Sequence, residues 1–160
     1  MTDFRALLTL LAGARVEFII VGGAAATAHG SARLTQDLDV VYRRTQENVS
    51  RLVRALAPHR PYLRGAPPGL PFNLDERTVQ NGLNFILVTD LGALDLLGEI
   101  AGGGYEDLLP FSISLRLYGV ECPCLGLERL ISIERAAGRP KDLEVLAELE
   151  AILEEQQGRG

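Results

Sequence analysis

The stretch Val16-Glu17-Phe18-Ile19-Ile20-Val21-Gly22-Gly23-Ala24-Ala25-Ala26-Thr27-Ala28-His29-Gly30 decides how the rest of the chain is read, together with Asp37-Leu38-Asp39-Val40-Val41-Tyr42 beyond a polar link. Val16 to Val21 is nearly continuous in apolar residues and β-branched at several positions, which predicts a buried strand. It runs directly into Gly22-Gly23. The alanine-rich run that follows has high helix propensity, and Gly30 supplies a stop. A strand, a glycine turn and a short helix therefore follow one another. After Ser31 to Gln36, Asp37 to Tyr42 predicts a second strand in which two carboxylates alternate with apolar residues.

Alternation puts Asp37 and Asp39 on one strand face, with Cα atoms about 6–7 Å apart at a rise of about 3.3 Å per residue. Two like charges held together repel, and a hard divalent cation, magnesium first among them, is the natural compensator. The plainer alternative is a helix cap and a surface ion pair with an Arg. Gly22-Gly23, ending a strand and opening a helix, leaves backbone N–H groups free to hold phosphate oxygens. A tight turn that merely needs positive φ would use the same residues. The combination says more than either part, because thirteen residues separate the turn from the paired carboxylates.

Outward from this region, Phe4, Leu7, Leu8 and Leu11 recur at helical spacing, with Gly13 closing the helix. Val49, Leu52, Val53 and Leu56 mark another helix, ending before Pro58. Pro61 to Pro71 is rich in Pro and Gly and reads as a surface loop, and a further strand is expected between Pro71 and Val79. Leu83–Val88 and Ala93–Leu97 read as strands, and Ile113–Leu117 with Val120–Cys122 as a hairpin around Tyr118-Gly119. Leu127–Ala137 and Lys141–Glu155 are helical, broken by Gly138 and Pro140.

At 160 residues, 47% hydrophobic and 23% charged, the chain has the size and composition of one globular domain. A net charge of -5 argues against a broad DNA- or RNA-binding face, which needs clustered cations. Fifteen of the sixteen basic residues are Arg, so Lys141 stands out. Cys122 and Cys124 lack a nearby His to complete a zinc site and are expected to be buried and reduced, which fits a cytoplasmic setting. Asp3 interrupts what would be the basic flank of an export signal, and no apolar run nears the ~20 residues that span a bilayer.

Val21-Gly22-Gly23 and Asp37-Leu38-Asp39-Val40 together resemble the signature of the polymerase-beta-like nucleotidyltransferase superfamily, a Gly-Gly or Gly-Ser turn followed by Asp-h-Asp/Glu-h, where h is apolar. The resemblance runs from about Val16 to Leu149. Its closing part, Glu134 to Leu143, is similar to the C-terminal helical segment of small bacterial members, including AbiEii-like and MNT-type proteins of toxin–antitoxin and phage-defence systems. It implies an α/β (α+β) fold with a mixed sheet of about five strands, helices on one side and a C-terminal helical segment. Residues 1–125 would be the catalytic core and 126–155 the closing helices of a single domain spanning 1–160.

The same resemblance implies a Mg²⁺-dependent transferase, with two ions, or Mn²⁺ in their place, held by Asp37, Asp39 and a third carboxylate. Asp95, between Leu94 and Leu96, matches that third position and would lie closest to the acceptor. NMP would pass from a nucleoside triphosphate such as ATP to a hydroxyl on a protein or tRNA, and a cognate toxin or antitoxin protein is a possible partner. The alternative is a catalytically weak or inactive module of the same fold that acts as an antitoxin or regulatory partner. Gly22 and Gly23 would cradle the triphosphate, and Lys141 would reach its β- or γ-phosphate. Arg33 and Thr35 would contact phosphate or orient the carboxylates, unless Arg33 forms a structural salt bridge to Asp37 or Asp39. His29 is expected to pack or cap. The chain departs from many family members in having Gly23 where a turn serine would hold a phosphate.

Overall fold

The computed structural model describes residues 1–159, with the side chains of Lys141 and Arg159 outside the description. Helix α1 (Phe4–Gly13) opens on Asp3, whose side chain accepts from the Ala6 N–H. Strand β1 (Phe18–Val21) passes into α2 (Gly22–Ala28), and β2 (Asp37–Tyr42) into α3 (Gln46–Leu56). Next come β3 (Tyr62–Leu63), α4 (Glu76–Asn81), β4 (Phe85–Thr89) and β5 (Gly92–Leu97). A small hairpin, β6 (Glu99–Ile100) with β7 (Gly103–Gly104), leads to α5 (Tyr105–Leu108). The hairpin β8 (Ser112–Leu117) and β9 (Val120–Leu125) and the helices α6 (Leu127–Ala137) and α7 (Pro140–Arg159) complete the chain.

Among the described residues, seven strands form one mixed sheet in the order β3-β4-β5-β2-β1-β9-β8. The mixed sheet, the helices and the C-terminal helix are as expected, but the expected count of about five strands is too low. The shortfall arises partly at β3, a two-residue edge strand inside the Pro/Gly-rich segment, too short to carry a periodicity. The described residues between Pro71 and Val79 form no strand. Instead Asp75 caps α4, its side chain accepting from the Thr78 N–H, and a capped turn of helix buries Val79.

β1 is buried at all four positions, as a strand covered on both faces must be. β4 differs: Phe85, Leu87 and Thr89 are buried, whereas Ile86 and Val88 are 40% and 39% exposed. One face of the sheet therefore stays open at the β4–β5 end. Cys122 and Cys124 share the inward face of β9, and burial pushes the Cys124 thiol up to about 12, which leaves it inert. Among the described residues, no helix is long and apolar enough to cross a membrane.

Asn48, wholly buried in α3, ties the approach to β1 to the exit from β2. Its Oδ1 accepts from the Glu17 N–H at 2.6 Å, and its Nδ2 donates to the carbonyls of Glu17 at 2.9 Å and Arg43 at 2.8 Å. Replacing Asn48 with Leu leaves those backbone groups unpaired in the core. Urea unfolding should show a loss of about 2 kcal/mol.

Candidate active site

The site is assembled by strand register. β1 and β2 are antiparallel with Val21 opposite Asp39, and β2 and β5 are parallel with Asp39 opposite Asp95. Directly opposite residues share a sheet face, so Asp37, Asp39 and Asp95 all stand on one side, the side on which Ile86 and Val88 are exposed. Gly22 follows Val21 and turns the chain over Asp39. Its φ of +63° lies in the left-handed region, and a Cβ there would overlap Asp39 Oδ2, so glycine meets two requirements at this point. The first turn of α2 receives no side-chain cap from Val21, which leaves its leading N–H groups open to an oxyanion.

Crowding three carboxylates changes their chemistry. The Asp39 carboxyl is pushed up from the ordinary 3.8 to about 8, chiefly by burial, then by Asp95 and Asp37, with Arg64 partly opposing. Asp39 Oδ1 is shut from solvent without a hydrogen-bond partner. With both groups ionised, neither Asp39 nor Asp95 can donate to the other; a proton, or a cation, is what the arrangement needs.

Arg64 is the charged neighbour that sequence reasoning missed. Its Nη1 stands 3.3 Å from Asp37 Oδ1, and its Nη2 donates to Asp95 Oδ1 at 2.5 Å. Its backbone N–H donates to the Ile86 carbonyl at 2.9 Å, so β3 and β4 carry it to the carboxylates from the side of the sheet away from Gly22. The one available signal was an arginine between Leu63 and Gly65 within a segment read as loop.

Other candidates fall elsewhere. Arg33 is corrected: it pairs not with Asp37 or Asp39 but with Glu144 at 3.3 Å and Glu148 at 3.7 Å on α7. Glu148 also accepts from Ser31 Oγ and the Ala32 N–H, and so fastens the link before β2 to the closing helix. Arg33 nonetheless borders a cavity of about 410 Å³ shared with Gly23 and Thr35. Thr35 Oγ1 donates to the Asp37 carbonyl at 3.2 Å, and a Cβ on residue 23 would come within 2.8 Å of that hydroxyl. A hydroxyl thus stands beside the turn although residue 23 is glycine, contributed from the adjoining link. His29 serves as a brace, its Nε2 donating to the Leu125 carbonyl at 2.8 Å. Lys141 belongs to α7, and the expectation placed on its side chain lies outside the described residues. On the α6 side, a cleft of about 160 Å³ opens between Gly22, Asp39, Ile100, Ile133 and Arg139.

Oxygen-only donors suit Mg²⁺, and the unpaired Asp39 Oδ1 fits a cation there. No three His, Cys, Asp or Glu side chains among the described residues are already closed around one point, and Arg64 bridges Asp37 and Asp95.

No protein-family model matches the sequence, and neither does any curated protein. Among solved structures the chain is similar to TM1012 of Thermotoga maritima, provisionally described as a nucleotidyltransferase, at a TM-score of 0.57 and 15% identity over 90% of this chain and 88% of that one. It is similar as well to the lincosamide antibiotic adenylyltransferase LnuA, solved with lincomycin bound, at a TM-score of 0.62 and 14% identity over 94% and 96% of the two chains. The fold is that of the nucleotidyltransferases. In this nucleotidyltransferase fold, the glycine turn and all three aspartates share one sheet face, with Arg64 in addition.

Proposed function

We propose that the chain is a Mg²⁺-dependent nucleotidyltransferase that moves NMP from a nucleoside triphosphate to an acceptor hydroxyl on a protein or tRNA. We place it with the small AbiEii-like and MNT-type members of toxin–antitoxin or phage-defence pairs. The observation that carries the reading is Asp39: a carboxylate with an unpaired buried oxygen, opposite Asp95 and under a glycine turn, has no evident structural purpose. LnuA is named for adenylylating an antibiotic, so a small-molecule hydroxyl belongs among the acceptors tested.

Asp37, Asp39 and Asp95 would hold the metal, which supplies charge neutralisation for the triphosphate and lowers the pKa of a bound hydroxyl. The Gly22-Gly23 turn, with Thr35 beside it, would cradle the phosphates, and Arg33 and Lys141 would steady their distal end. Asp95 would orient the acceptor hydroxyl and take its proton as oxygen attacks the α-phosphorus. The bond from that phosphorus to the bridging oxygen breaks, and pyrophosphate leaves. Positioning and electrostatics do most of this work, so no nucleophilic side chain is needed.

Incubation with each labelled NTP, Mg²⁺ and either cell lysate or a panel of hydroxylated antibiotics should yield labelled acceptor and pyrophosphate, and Asp95→Asn should abolish both. Equal transfer by the variant would sink the reading. The insertion of Arg64 between Asp37 and Asp95 favours a second reading, a module of the same fold that binds a partner protein without turnover. Calorimetry separates the two, since such a module shows no Mg²⁺-dependent NTP affinity.

A further inference from the structure

We propose that Arg64 is a tethered counter-ion that occupies the cation position of the metal-free protein and must be displaced before a divalent ion can be held by all three aspartates. The inference rests on the nucleotidyltransferase reading and adds to it a built-in competitor for the metal. Three observations meet here. The guanidinium bridges Asp37 and Asp95, the two outer carboxylates, with a different nitrogen to each. The middle carboxylate, Asp39, receives no hydrogen bond from it and keeps Oδ1 unpaired. The arginine is anchored by its main chain, through the N–H donated to Ile86, while Gly65 at φ +83° immediately follows.

An arginine compensates carboxylates as a planar fork, whereas a divalent ion gathers oxygens around a point. The guanidinium and an incoming ion compete for Asp95 Oδ1 and for the orientation of Asp37. Arg64 therefore spreads its single positive charge over two of the three carboxylates while no divalent ion is bound. The side chain has room to leave, since Asp37 is 45% exposed and the neighbouring Ile86 and Val88 line the open face. The backbone anchor keeps the released guanidinium on the β4 side, away from the glycine turn.

The test is a titration of the nucleotide-free full chain with Mn²⁺ alone, followed by electron paramagnetic resonance. Arg64→Met keeps length without charge and should bind Mn²⁺ about tenfold more tightly than wild type, while Arg64→Lys stays near wild type. The Arg64→Met variant should also melt lower than wild type without metal and recover on adding Mn²⁺. Equal or weaker Mn²⁺ binding by Arg64→Met, with binding still lost in Asp39→Asn, overturns the counter-ion role and leaves the nucleotidyltransferase reading standing. Mn²⁺ binding that is absent, or unaffected by Asp39→Asn, removes both. If Arg64→Met does not fold, wild type decides alone: the Arg64 Nε–H resonance should shift along a Mg²⁺ titration with the midpoint of metal binding, and an unmoved resonance overturns the proposal.

Discussion

Asp39→Asn should abolish nucleotidyl transfer and yet raise the melting temperature of the metal-free protein. The loss of activity, on the order of 10³-fold, follows from removing an anionic ligand that no neighbour can replace. The gain in stability follows from the same crowding that makes the site useful. In the fold, the Asp39 carboxyl is raised from 3.8 to about 8 by burial and by Asp95 and Asp37, so its neutral form is the one the metal-free structure favours. A group raised in this way contributes its full stability below its unfolded value and loses it as pH climbs through the folded value. Wild-type stability without metal should therefore fall between about pH 4 and pH 8 through this residue. The substituted amide does not ionise, and it can donate to Asp95, so the variant's curve should be flatter there. The difference should reach at least about 1 kcal/mol at about pH 8 and vanish near about pH 4. Differential scanning calorimetry in EDTA across that range is the measurement. A variant less stable than wild type at the alkaline end would show that the carboxylate is compensated in a way the geometry does not contain.

Gly22→Ala should damage both stability and transfer, for two separable reasons. An alanine at φ +63° carries a left-handed cost of about 1 kcal/mol, and its Cβ would also push Asp39 Oδ2 off its position. Total destabilisation should come to about 2 kcal/mol in urea unfolding. Transfer should fall about 10²-fold through misplacement of Asp39, even at temperatures where the variant is folded. Gly13→Ala is the control. A Cβ at Gly13 meets nothing within 4 Å, and its φ is not positive, so both readouts should stay near wild type. Activity retained in Gly22→Ala would mean that Asp39 can move freely, and the site as described would not be the reacting one.

Much of this site was readable one residue after another. The apolar run into Gly22-Gly23 and the Asp37-x-Asp39 alternation are local signals, and strand geometry alone places the two carboxylates together. The hairpin of β8 and β9, the inward cysteines and the closing helices are legible for the same reason, each being set by a period of two or of about three and a half. Asp95 carried a weaker signal, a single acid between leucines, and a resemblance rather than a physical argument singled it out. A salt bridge from Arg33 to Asp37 or Asp39 does not form because its partners, Glu144 and Glu148, lie on a helix more than a hundred residues later.

Chain order by itself determined that a strand, a glycine turn and a paired-carboxylate strand exist, because backbone sterics and alternation act within a few residues. Tertiary structure decided what stands around them. Parallel pairing of β2 with β5 sets Asp95 against Asp39, a two-residue edge strand delivers Arg64, and the link before β2 folds Thr35 against Gly23. Those positions follow from sheet register and from the burial of distant apolar faces, and neither leaves a period in the sequence near the residues it places.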